Sequence, residues 1–251
     1  MLREERLDTI MTLLRKERYL SVSDLAGTLH YSEATVRRDL ASLVTAGLAK
    51  RTFGGIALDE HVKPMLVREH ENVAEKTALC RAAASLLEGH EHIFLAGSST
   101  TRRMVRFLAD KKEITAVTPD LHLALELEAM GLNVWCVGGQ LANGMAVGAF
   151  AADMVKGMHF DVCFFSASGL SEDGEITVMS EAFGMLMRTV LERSGKRVCL
   201  CTDEKRGRRE FFSLGSLENI DVLVTSRKPE KAWQKRYPTV RYLTADGENG
   251  K

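Results

Sequence analysis

The chain is poor in the features that mark several protein classes. Its 251 residues include four prolines and 6% aromatics, and basic and acidic residues balance at 34 each. With no net charge, no overall field draws the molecule to nucleic acid or to a membrane surface. No apolar run reaches the ~18 residues of a transmembrane helix. The opening segment, MLREERLDTI, is charged and helical in pattern and lacks the apolar stretch of a signal peptide. A cytoplasmic protein is therefore expected. The five cysteines, Cys80, Cys136, Cys163, Cys199 and Cys201, are odd in number and scattered. All but Cys80 stand in strand-like apolar runs, where a reduced thiol acts as a small buried hydrophobe. Cys199 and Cys201 share one strand face, but no histidine or further cysteine stands nearby in sequence to complete four ligands. Neither metal nor cofactor is expected.

What is present is enough apolar residue, 45%, to build a real core. A division after Leu58 leaves nine basic and seven acidic residues before it, and 25 and 27 after it. That asymmetry permits a DNA-binding head without requiring one. Three segments are expected: a head over 1–58, a linker over 59–71 around Pro64, and a larger domain over 72–251.

In the first segment Leu7, Ile10, Met11 and Leu14 recur at helical spacing, and the helix is expected to end at Arg18-Tyr19. Ser23 is the expected N-cap of a short helix over 24–30 that buries Leu25, Ala26 and Leu29. Ser32 caps a third helix whose inner stripe is Val36, Leu40 and Leu43, with Gly47 closing it. Glu33, Thr35, Arg37 and Arg38 point away from that stripe. Leu48 to Leu58 then reads as two short strands turning at Gly54-Gly55. Two short helices with a tight turn, the second carrying adjacent arginines near its start, fit helix-turn-helix geometry. On spacing alone they fit a three-helix packing unit with a charged, solvated face as well.

Particular residues separate these readings. Val22-Ser23-Asp24-Leu25-Ala26, Tyr31 to Leu40 with Thr35-Val36-Arg37-Arg38-Asp39-Leu40 at its centre, and Arg51-Thr52-Phe53-Gly54-Gly55 resemble the winged helix-turn-helix of the DeoR family. The resemblance implies a sequence-specific, DNA-binding transcription regulator. It implies Ser32, Thr35, Arg37 and Arg38 as the DNA-facing set, with Arg51 on the wing against phosphate. Asp39 is expected to orient an arginine or satisfy a backbone donor, since a carboxylate facing phosphate is repelled. Phe53 replaces the usual family histidine.

Beyond the linker, a helix over 72–87 is expected to bury Ala74, Ala78, Ala82 and Leu86. Seven short apolar runs follow: HIFLAG, ITAVTP, NVWCVGG, DVCFFSAS, RVCLCTD, DVLVTS and VRYL. Helical patterns near 100–109, 121–130, 150–157, 180–194 and 215–219 alternate with them. The alternation predicts an α/β domain with a mostly parallel sheet covered on both faces. Ligands of such sheets bind beyond the carboxyl ends of the strands. Those ends supply Ser98, Ser99, Thr100 and Thr101 at a turn suited to phosphate, then Gly138 and Gly139, Gly169 and Lys205. Glu181 opens a helix, where capping rivals a ligand role.

Glu75-Lys76, the Ser-Thr-Thr turn, Gly138-Gly139 and the segment from Ser168-Gly169 through Asp173-Gly174-Glu175-Ile176-Thr177 to Glu181 are similar to the DeoR sensor domain. That domain resembles ribose-5-phosphate isomerase in fold. The resemblance therefore implies a phosphosugar or related anionic effector, repression of sugar-metabolism genes and a homo-oligomer on a double-stranded operator. Ala96 stands where the family has aspartate. Asp120, Asp203 and Glu204 add negative charge that works against a phosphate. Two alternatives follow: a DNA-binding protein with a vestigial sensor domain, and a sugar-phosphate isomerase or deaminase. The second lacks its base, because Ser166-Ala167-Ser168-Gly169 offers no carboxylate at the strand end where the isomerases place theirs.

Overall fold

The structure is a computed structural model that describes residues 3–17, 19–45, 49–57 and 65–245. It divides into two compact units, Met1–Arg68 and Glu69–Lys251. Arg18, Gly47 and the linker up to Pro64 lie outside the described residues.

The first unit contains α1 (Arg3–Glu17), β1 (Tyr19–Ser21), α2 (Val22–Leu29), α3 (Glu33–Thr45), β2 (Lys50–Thr52) and β3 (Gly55–Ala57). Ile10, Met11 and Leu14 of α1 meet Leu25 and Leu29 of α2 and Val36, Leu40 and Leu43 of α3 in one buried cluster. The expected cap of α2 is corrected. Ser21, two residues before Ser23, accepts the Asp24 N–H at 3.0 Å, because it is still extended when the helix begins. The wing is also larger than expected. Its three strands lie in the order β1-β3-β2, with Leu20 opposite Ile56. Residues 65–70, assigned to the linker from sequence, form a short helix, α4 (Met65–His70).

The second unit runs α5 (Val73–Ala84), β4 (His92–Leu95), β5 (Thr115–Thr118), α6 (Leu121–Ala129), β6 (Asn133–Cys136), β7 (Gln140–Ala142), β8 (Met145–Val147) and α7 (Ala149–Lys156). It continues with β9 (Phe160–Phe165), β10 (Gly169–Leu170), β11 (Glu175–Val178), α8 (Glu181–Glu192), β12 (Ser194–Cys201), β13 (Phe212–Ser216), β14 (Val222–Thr225), α9 (Lys231–Arg236) and β15 (Arg241–Thr244). The seven apolar runs become the seven strands of one parallel sheet, ordered β15-β14-β12-β9-β4-β5-β6. Two apolar clusters cover its faces, one under α7 and α8 and the other under α5 and α6. The antiparallel sheet β10-β11-β13 and the β7–β8 hairpin carry no comparable apolar signal. The pattern near 100–109 is a 3-10 helix, Thr101–Phe107.

Two burial expectations are corrected. The inner face of α5 carries Lys76, Leu79, Cys80, Ala83 and Ala84, while Ala74 is exposed. A lysine on the core side had hidden the true stripe. Cys136 is exposed on the edge strand β6, and Cys80 is the buried thiol instead. Burial pushes the Cys80 and Cys201 thiols up to about 12 and Cys163 to about 11, so none is a ready nucleophile at neutral pH.

Candidate nucleic-acid interface and effector site

In the head, the Ser32 hydroxyl accepts the Thr35 N–H at 3.3 Å and lies 3.0 Å from the Thr35 hydroxyl, so it opens α3 as an N-cap. Arg37 and Arg38 stand exposed on the side away from Val36 and Leu40. Arg37 reaches Glu33 Oε2 at 3.0 Å, an exposed i,i+4 pair that holds the guanidinium on the helix surface and breaks readily. Arg51 is exposed on β2. Asp39 turns inward and takes two hydrogen bonds from Arg6, at 2.5 and 3.1 Å, with only 2% of its surface exposed. The Arg6 guanidinium also lies over the Tyr31 ring. This pairing ties α1 to α3 and turns the carboxylate that follows Arg38 in the chain away from the exposed face.

In the second unit, the turn after β4 spends part of its hydroxyl set on itself. The Ser98 hydroxyl accepts the Thr101 N–H at 3.0 Å, and Thr101 Oγ1 accepts the Ser98 N–H at 3.0 Å and donates to Ala96 O. Ser99 is buried. Thr100 differs from its neighbours: its hydroxyl is buried with no hydrogen-bond partner, and so is Nε of Arg103 one turn on. The Thr100 carbonyl accepts the Cys80 thiol at 3.0 Å, which seats α5 against this turn. One turn back on α5 is Lys76, 1% exposed. Burial lowers its pKa to about 8, with Lys205 and Arg103 adding to the effect against Glu204 and Glu71.

Lys205 donates to Ser166 Oγ at 2.7 Å, and Ser166 passes the bond to Leu200 O at 2.6 Å. Thr100, Lys76, Arg103 and Lys205 thus belong to one cationic neighbourhood at the carboxyl ends of β4, β9 and β12. Lys76 and Arg103 were not singled out from sequence as ligands. The available signal was a lysine breaking the apolar face of a helix.

The acids expected to oppose an anion are all engaged. Asp120 is fully buried, accepts from Arg102 at 2.6 and 2.9 Å, and caps α6 through the His122 and Leu123 N–H groups. Burial disfavours the Arg102 charge, yet Asp120 and Glu69 outweigh it and raise its pKa. Asp203 pairs with Arg206 and Arg227, which hold its carboxyl below the usual range against the opposing effect of burial. Glu204 accepts from Asn72 at 3.0 Å.

The other expected effector residues are placed differently. Gly138 donates to the Met154 sulfur at 3.3 Å, and Gly139 packs so closely on β8 that a Cβ would stand 2.9 Å from Val147 O. Gly169 lies under the Arg208 backbone and accepts from Thr177 at 3.1 Å. Glu181 is exposed in the first turn of α8, which Ser180 caps.

Comparison with known proteins matches residues 6–62 to the DeoR-like helix-turn-helix domain and residues 71–227 to the DeoR C terminal sensor domain. The chain is 30% identical over 239 residues to the HTH-type transcriptional regulator GolR of Listeria innocua, covering 93% of this chain and 94% of that protein. It is 28% identical over 239 residues to the HTH-type transcriptional repressor GlcR of Bacillus subtilis, covering 93% and 92%. A partial structural likeness links it to ribose 5-phosphate isomerase A of Methanocaldococcus jannaschii, with TM-score 0.41 and 14% identity over 54% of this chain and 55% of the other. No helix among the described residues is long and apolar enough to cross a membrane. With its head and its sensor domain both matched, the chain belongs to the DeoR family of helix-turn-helix transcription regulators.

Proposed function

We propose that this regulator is a cytoplasmic, homo-oligomeric repressor whose operator affinity is set by a phosphorylated sugar bound in its second unit. The observation that carries the effector reading is the pair of unpartnered buried groups, Thr100 Oγ1 and Arg103 Nε, beside buried Lys76. An unsatisfied buried donor costs about 1–3 kcal/mol. A phosphate oxygen is the acceptor that both groups lack, and its negative charge suits the adjoining lysine. The pairing of Asp120 with Arg102 and of Asp203 with Arg206 and Arg227 favours the same ligand.

The head, 1–58, reads the operator through Ser32, Thr35, Arg37 and Arg38 with Arg51 on phosphate, and 59–71 joins it to the sensor, 72–251. Two heads are needed for two half-sites. Exposed Trp135 on the edge strand β6, with exposed Leu141 and Phe150 nearby, supports self-association. The relatives named as regulators, and the lack of a carboxylate among Ser166, Ala167 and Ser168, favour sensing over catalysis.

Thermal-shift screening against pentose and hexose phosphates, their unphosphorylated sugars and inorganic phosphate tests this reading. Stabilisation by RT ln(1 + [L]/Kd) is expected for a phosphosugar. A flat response across the panel leaves the vestigial-sensor alternative. Isomerisation of any panel member overturns the non-enzymatic reading.

A further inference from the structure

Among the described residues, the large apolar side chain most completely exposed is Phe53, at 103% of its reference surface. It stands at the tip of the wing, in the two-residue turn between β2 and β3. The turn is firmly held. Gly54 takes a positive φ of 80°, and its carbonyl accepts the Val22 N–H at 2.9 Å. The Phe53 carbonyl accepts the Tyr19 hydroxyl at 3.3 Å. Gly55 presses against the Leu20 carbonyl with no room for a Cβ. An aromatic ring is thus presented to solvent on an anchored turn, next to exposed Lys50 and Arg51. Among the described residues nothing covers the ring. The adjacent exposed cations suit a polyanionic surface.

We infer that Phe53 is an apolar wedge that the wing inserts at a base step flanking the groove taken by α3. Apolar side chains used in this way partly unstack a step and gain the burial of the ring. The contact differs in kind from that of Arg51. A phosphate contact releases counterions and steepens the salt dependence of binding, whereas a buried ring adds affinity at every salt concentration alike. The inference rests on α3 being the DNA-facing helix.

The test uses the full chain and a duplex that the wild-type protein recovers from a random pool. 2-Aminopurine is placed in turn at each step outside the α3 footprint. Wild type should raise the fluorescence at one step per half-site, by unstacking it. Phe53→Ala should abolish that rise and weaken binding about tenfold, with an unchanged slope of log K on log salt. Phe53→Leu should retain most of both, and Arg51→Ala should leave the fluorescence rise but flatten the slope by about one unit.

Equal affinity and equal fluorescence for wild type and Phe53→Ala would overturn the inference. So would weaker binding by Phe53→Ala with no unstacked step in the wild-type complex. Loss of binding on Arg37→Ala/Arg38→Ala, beside an unaffected Phe53→Ala, places the failure at the wing alone. Full affinity in that double variant places it in the reading of α3.

Discussion

Lys76 and Asp39 are both buried charged residues, but burial serves them differently. Asp39 is matched by Arg6 through two hydrogen bonds, whereas burial strips Lys76 of solvent and the charges of Lys205 and Arg103 add to that effect against Glu204 and Glu71. Lys76 therefore releases its proton near pH 8 in the folded chain, against an ordinary value of 10.5. Between those values the unfolded chain binds more protons, so stability rises with pH across that window and the full penalty applies below it. A phosphate ester, already dianionic above its second pKa of about 6, binds the protonated lysine best. Phosphosugar affinity, measured by calorimetry, should fall as pH rises through about 8. Lys76→Met should abolish that dependence and the ligand-induced thermal shift. It should also raise the melting point of the ligand-free protein by about 2–4 °C, the trade expected of a binding residue kept against stability. Asp39→Asn should do the reverse in the head, lowering its melting temperature by several degrees and weakening operator binding without altering sugar binding.

At the scale of elements, the long apolar strands were legible because a fully buried strand needs apolar residues at nearly every position. HIFLAG and DVLVTS state their environment in sequence. The three-residue strands do not. β1 is recognisable only through its pairing with β3, about 35 residues along the chain, and the cap of α2 moved to Ser21 because that pairing keeps Ser21 extended. Two glycines separate these effects. Gly55→Ala places a Cβ against the Leu20 carbonyl and should destabilise the head by about 1–3 kcal/mol through forced separation of β1 and β3. Gly27, inside α2 with open space around it, should tolerate alanine and gain about 0.5–1 kcal/mol from helix propensity. Chemical denaturation followed by circular dichroism distinguishes the two. Equal effects would contradict the close β1–β3 approach.

At the scale of the molecule, the regulator requires a free-energy coupling between effector and operator. Linkage makes it reciprocal: a sugar phosphate that weakens operator binding by about 5–150-fold is itself bound that much more weakly by the operator complex. Self-association belongs to the same scale. Trp135→Glu with Phe150→Glu should shift the sedimentation of the protein toward monomer and weaken operator binding at low concentration. The phosphosugar thermal shift should remain, since Thr100 and Lys76 lie on other elements. An unchanged sedimentation profile would assign self-association to another surface.

The amino-acid sequence by itself determined the fold class, the helix-turn-helix head and the family, because each rests on local patterns: apolar period, N-cap chemistry and the Thr35-to-Leu40 motif. The tertiary structure alone decided which polar groups remain unsatisfied. The hydroxyls of Ser98, Thr100 and Thr101 are equivalent in sequence, but only that of Thr100 is left without a partner. Asp120 and Asp203 look hostile to an anion until Arg102 and Arg227 reach them from other segments, 18 and 24 residues away. Hydrogen-bond satisfaction and charge pairing depend on neighbours in space, and sequence spacing does not encode them.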